Sequence, residues 1–244
     1  MRRIAASLVY PVSSPPLKNG MVTVEHNGII ISVEEGGENF RELAGVEYYS
    51  GILIPGFADV HTGERDSAWL LGRGIRVAGR TGFPKDAGKV DNELSTRFSW
   101  KSLYGGRVDY QIFKSAGQFS GCFMPGRKTG VYHARGKSNK YLAGGKGPGI
   151  NGFYRAGTEE GLLVIGTSGR LEMIKMMIGL QEEPSGTTLL KLIDMATING
   201  AVALGYDKVA GCLLPGRQPG LNLIEGADMS NLKLLPGSRL RRLC

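Results

Sequence analysis

The sequence predicts an α/β protein assembled from three unlike segments, and three observations carry that expectation. Residues 1–62 are written in short β-rich runs punctuated by Pro, Gly and Asn. From residue 158 onward an apolar strand gives way to helical periodicity and then to strand again. Between them, residues 63–157 hold nineteen glycines among scattered Arg and Lys, with no sustained period of 2 or 3.6 residues.

In chain order, "IAASLVYPV", "GMVTVE" and "GIIISVEE" read as strands, because β-branched and apolar residues recur between turn formers. "SSPPLKNG" is a loop in which Asn19-Gly20 turns the chain into the second run, and His26 to Gly28 forms a tight hairpin turn. After the polar stretch "EEGGENFRELAGVE", "GILIPGF" supplies another strand and a turn. "GLLVIGTS" is a short apolar strand ending on small residues. "SGRLEMIKMMIGLQEE" follows, with Leu171, Ile174, Met177 and Ile178 at helical spacing and Ser168 as the expected N-cap. Its methionines at 173, 176 and 177 are read as core packing in preference to a soft binding stripe. "SGTTLLKLIDMATINGAVALG" gives one or two more helices stopped by Gly205. "GCLLPGRQPGLNLIE" returns to strand, with Pro215-Gly216 and Pro219-Gly220 as punctuation.

The bulk properties exclude several classes. At 244 residues the chain is long enough to bury a core. It has no apolar run long enough for a membrane-spanning helix. "MRRIAASLVYPVSS" faintly mimics a signal peptide, yet the apolar run is short and reads equally well as a first strand. Cys122, Cys212 and Cys244 lie far apart and form no CxxC pair, the usage of a reduced, cytoplasmic chain. The net charge of +8 is unevenly spread: −3 over residues 1–62, +11 over 63–157 and zero over 158–244.

At the two ends the residues become specific. "LKNGMVTVEHNGIIISVEE", "GILIPGFADVH", "ATINGAVALG" and "GCLLPGRQPGLNLIE", in that order, resemble the amidohydrolase superfamily. The nearest branches are the cytosine deaminase and chlorohydrolase-like enzymes and the aminofutalosine deaminase-like enzymes. The resemblance covers roughly residues 1–62 and 162–244. It implies a β-sandwich built from both chain ends and a (β/α) barrel carrying a divalent metal, zinc or iron. It also implies a small-molecule substrate with a carbon–nitrogen bond. In such enzymes two histidines at i and i+2 share a strand face, and the metal they help to hold lowers the pKa of a bound water.

Residue by residue, the resemblance then breaks. His61 matches the first metal histidine, but Gly63 stands where the second belongs, with Thr62 between them. "VIGTS" matches the end of the last barrel strand, but Ser168 follows Thr167 directly and the expected aspartate is absent. Glu159 substitutes for it only in a shifted alignment, which fits the order of elements less well. The remaining histidines are His26, a solvated turn residue, and His133, with no strand-like flank. Catalytic zinc sites ordinarily need three protein ligands and a water. His61 is therefore the single metal-ligand match, no catalytic residue is assigned, and the expectation is an inactive hydrolase.

Length points the same way. Between Gly56 and Gly205 there are about 150 residues, whereas an eight-stranded βα barrel takes about 250. The expected organisation is thus residues 1–55 and 206–244 as the two parts of a sandwich, and 56–205 as an incomplete barrel remnant. Within the remnant, residues 63–157 are read as basic, Gly-rich and poorly ordered, from a frame slip, foreign sequence or a deletion joint. "RGIRVAGRTGFPKDAGKV" is the piece of this block that retains family-like character. The alternative is a non-catalytic protein that binds single-stranded RNA or other polyanions through its basic middle. Tyr104, Tyr110, Phe113, Tyr132, Tyr141 and Tyr154 would supply the stacking. Weak attraction to any polyanion explains the same composition more simply. "GGRVDYQ" and "AGGKGPG" lack the GxxxxGK[ST] pattern of a phosphate loop, and Glu64 and Asp66 read as a solvated turn.

Overall fold

The computed structural model describes residues 1–36, 44–59, 67–80, 99–102, 154–157, 163–167, 172–182, 187–204 and 206–244. Its largest element is a seven-stranded sheet made by both ends of the chain. The N-terminal end supplies β1 (Arg2–Val9), β2 (Leu17–Lys18), β3 (Met21–Val24), β4 (Ile30–Glu34) and β5 (Val46–Pro55). The C-terminal end supplies β11 (Leu221–Glu225) and β12 (Arg239–Arg242). The order is β12-β11-β5-β1-β3-β4, with β2 paired to β1. β1 and β5 run parallel, and the other neighbours are antiparallel.

The hairpin expected at His26–Gly28 forms between β3 and β4. Gly28 has φ +88°, and Glu25 and Ile29 close the turn by a backbone hydrogen bond of 2.9 Å. The sheet curls until its β4 side meets the loop ahead of β11. The Ile30 amide donates to the Arg217 carbonyl at 2.8 Å, and the Gly216 amide to the Ile30 carbonyl at 2.9 Å. The concave face buries Ile4, Val22, Val24, Leu53, Leu221 and Leu223. The other face joins a larger core shared with the helices.

After β5 the chain turns at Gly56 into β6 (Phe57–Asp59), helix α1 (Ser67–Gly72) and β7 (Ile75–Arg80). β7 lies parallel to β6, and β8 (Ser99–Ser102) is parallel to β7. β9 (Tyr154–Gly157) and β10 (Leu163–Gly166) form an antiparallel pair. Helices α2 (Met173–Gln181), α3 (Leu189–Ala196) and α4 (Ile198–Leu204) follow. Among the described residues the parallel strands do not close into a barrel.

Two sequence expectations need correction. Helix α2 starts at Met173 with Glu172 as its N-cap residue, so Ser168, which lies outside the described residues, is not the cap. The border drawn at residue 63 is also too early. An ordered helix and strand occupy positions 67–80, and β8 and β9 also fall in the stretch that composition marked as irregular. β7 escapes a periodicity search because it is short and its first four residues, Ile75, Arg76, Val77 and Ala78, are all buried, so apolar and polar positions do not alternate. The "YQIF" fragment lies outside the described residues.

The methionine reading holds: Met173, Met176 and Met177 are all buried in the core. Helix α3 is capped by Thr188, whose side chain accepts the Lys191 amide at 3.5 Å.

Candidate functional site

β6 ends on a buried polar residue, β10 is followed by one, and the two residues meet. Asp59, the last residue of β6, is fully buried; Thr167, immediately after β10, is 1% exposed. The Thr167 amide donates to Asp59 Oδ1 at 3.1 Å and its hydroxyl to Asp59 Oδ2 at 2.5 Å. Both carboxylate oxygens thus accept a hydrogen bond from one residue, the pattern that makes a buried carboxylate tolerable.

The elements around this pair are held close by small residues. Gly200 in α4 lies against β6 so tightly that a Cβ there would sit 2.3 Å from the Ala58 carbonyl oxygen. This is the physical reason for a glycine in "ATINGAVALG". Gly56 is pinched in the same way, with 2.6 Å left between its Cβ position and the Pro219 carbonyl oxygen. The "PGF" turn therefore packs against the loop that enters β11.

On the sheet side stands Arg76 of β7, only 5% exposed. Its Nε donates to the Gln218 carbonyl at 3.0 Å. Burial pushes the guanidinium down to about 10, with the neighbouring Arg242 acting in the same direction and Tyr206 against it. Beside it, Asn222 Nδ2 donates to the Gly74 carbonyl at 2.8 Å. Toward the helices, the Tyr10 hydroxyl donates to Asp194 Oδ1 at 2.7 Å. Burial, followed by the contact with Asp194, raises the Tyr10 phenol well above its ordinary value. Burial likewise raises the Asp194 carboxyl, with the Tyr10 hydrogen bond opposing it.

Of the residues picked out from sequence, His61, Gly63, Glu64, Asp66, His133, Glu159 and Ser168 lie outside the described residues. His26 is described, in the exposed turn between β3 and β4, where Nε2 is 3.0 Å from the N-terminal amine. Among the described residues no three His, Cys, Asp or Glu side chains converge so as to hold a metal ion. Asp59, the acidic group nearest His61 in sequence, already has both oxygens engaged. The described donor set therefore does not fit a catalytic metal, and no reaction step is derived through one.

Sequence reasoning passed over Asp59 and Arg76. A signal was present for the first: an acid embedded in "ILIPGFADV" has to find a donor if the strand is buried. Arg76 gave none, since it sits in a stretch already rich in Arg and Lys.

No family profile and no curated protein sequence matches the chain. Solved structures do. A zinc-bound adenosine deaminase from Xanthomonas campestris is similar at 11% identity, with a TM-score of 0.52 over 92% of this chain and 84% of that one. A putative prolidase from Bifidobacterium longum gives 12% identity and a TM-score of 0.51, over 95% of this chain and 90% of that one. Guanine deaminase from E. coli gives 10% identity and a TM-score of 0.50, over 92% and 88% respectively. At such identities the likeness speaks for the fold alone. With a mixed α/β core, a sheet made from both chain ends and parallel strands leading away from it, this chain shares the fold of these deaminases and this prolidase.

Proposed function

We propose that this chain is a non-catalytic derivative of a metal-dependent hydrolase acting on carbon–nitrogen bonds of small molecules, of the deaminase type. The parentage is supported by the fold it shares with adenosine and guanine deaminases. The loss of activity is carried by one observation, the Gly63 that stands where a second metal-binding histidine is expected beside His61. A hydrogen atom in place of an imidazole removes a ligand outright, and too few histidines remain to replace it.

In this reading the curled terminal sheet is the sandwich of the family, formed by residues 1–55 and 206–244. The strands from β6 to β10 with α1–α4 are a barrel short of its full complement. Three cysteines far apart in sequence and without a CxxC pair fit a reducing, cytoplasmic setting.

The test is metal retention together with turnover. Purified chain is incubated with zinc or iron(II), dialysed, and assayed for bound metal and for ammonia release from adenosine, guanine and cytosine. The expected outcome is well under one metal per chain and no chelator-sensitive ammonia release. Stoichiometric metal with chelator-sensitive turnover would sink the proposal.

A further inference from the structure

The two ends of the chain do more than contribute to one sheet; they meet along most of their lengths. β11 is seated between β5 and β12, pairing with β5 in a four-residue antiparallel register from Leu221↔Pro55 to Ile224↔Ile52. The C-terminal length thus donates a strand to the sheet begun by the N-terminal length. The common core takes Ile52, Phe57 and Ile75 from one length and Ile165, Leu192 and Ile224 from the other. Side-chain links across the same boundary include Thr167 to Asp59, Tyr10 to Asp194, Arg73 to Glu172, Arg76 to the Gln218 carbonyl, Asn222 to the Gly74 carbonyl, and Arg2 to the Leu243 carbonyl. Strand addition, a dry apolar centre and several polar anchors are the features that hold separate polypeptides together.

We infer that residues 163–244 are a recognition partner for residues 1–80, the two lengths associating through this interface without need of the covalent connection between them. The connection raises their effective concentration but supplies none of the contacts named above. The pairing is that of a heterodimer whose subunits happen to share one chain. It stands whether or not the protein holds a metal, because none of these contacts involves a metal-ligating position.

The test uses the full chain. A site-specific protease sequence is inserted after Ser120, the protein is purified intact, and it is then cut. The two products are expected to co-elute as one species at micromolar concentration and high salt, and to part only in denaturant. Separate elution without denaturant, or precipitation of either product on cutting, overturns the inference. Cut Asp59→Ala protein is expected to show about tenfold or more weaker association, because its Thr167 donors lose a charged acceptor. Cut Thr167→Ser protein, which keeps both donors, is expected to match the unsubstituted pair. Equal association in the Asp59→Ala and unsubstituted pairs overturns the assignment of this interface.

Discussion

Asp59 and Thr167 are 108 positions apart, yet the hydroxyl and amide of one satisfy both oxygens of the other in a site closed to water. Replacing Thr167 by Val keeps the shape and the amide but removes the hydroxyl donor. The expected loss is about 1.5–3 kcal/mol in urea unfolding, the range for a buried bond to a charged group. That the acid needs a donor is legible in "GFADV"; which residue provides it is not, because sequence carries no record of a contact between distant strand ends. Glu47 gives a second residue-scale prediction. Arg2 binds its carboxylate through two hydrogen bonds of 2.8 Å, and the Tyr49 hydroxyl adds a third at 2.9 Å. These hold the carboxyl down at about 2, the Arg2 contact being the largest influence. A depressed carboxylate stabilises the fold above the ordinary carboxylate range and loses that contribution as pH falls toward its folded value. Stability should therefore decline more steeply between about pH 4.5 and 2 in the original protein than in Glu47→Gln, measured by urea midpoints at each pH.

Among the elements, β7 separates what could be read from what could not. β1, β3, β4 and the helices after β10 announce themselves through turn residues and period and form within a few positions of where they are expected, whereas β2 lies in the "SSPPLKNG" stretch read as a loop and β12 gave no signal. β7 lies in a stretch dominated by Gly, Arg and Lys. Its few apolar residues suffice because β6 and the helices cover it: Val77 and Ala78 are fully buried. Even Arg76 is an interior residue, so the +11 charge of residues 63–157 is not wholly a surface property. If β7 is part of the cooperative core, Ile75→Ala should destabilise by about 2–5 kcal/mol. A change within experimental error would instead mean that β7 frays independently of the rest. The start of α2 was misread for a related reason. Ser168 is the better capping residue by type, but Glu172 is the residue held at the helix start, paired with Arg73 across the fold. That ion pair, and the stacking of Arg73 over Trp69 at 4.2 Å, tie α1 to α2 and are invisible to local propensity.

At the scale of the whole molecule, the meeting of the chain ends was readable because motifs at both ends appear in a fixed order. The expectation of an incomplete barrel came from counting residues against strands, and among the described residues the parallel strands do not close. The status of His61 and Gly63 rests on sequence, since both lie outside the described residues. Metal retention and the fate of the cut chain therefore probe different levels of the molecule, the first its chemistry and the second its cohesion.

The interior position of β11 has a further consequence for biosynthesis. β5, carrying Ile52, Leu53 and Ile54, leaves the ribosome well before Leu221–Glu225, the strand that covers this edge. Throughout that interval the nascent chain displays an unpaired edge of an apolar strand, of the kind that invites pairing with a neighbour. Completion of the sheet is thus deferred until β11 has been made, and the yield of soluble protein should depend on chaperones that shield β5 while it waits.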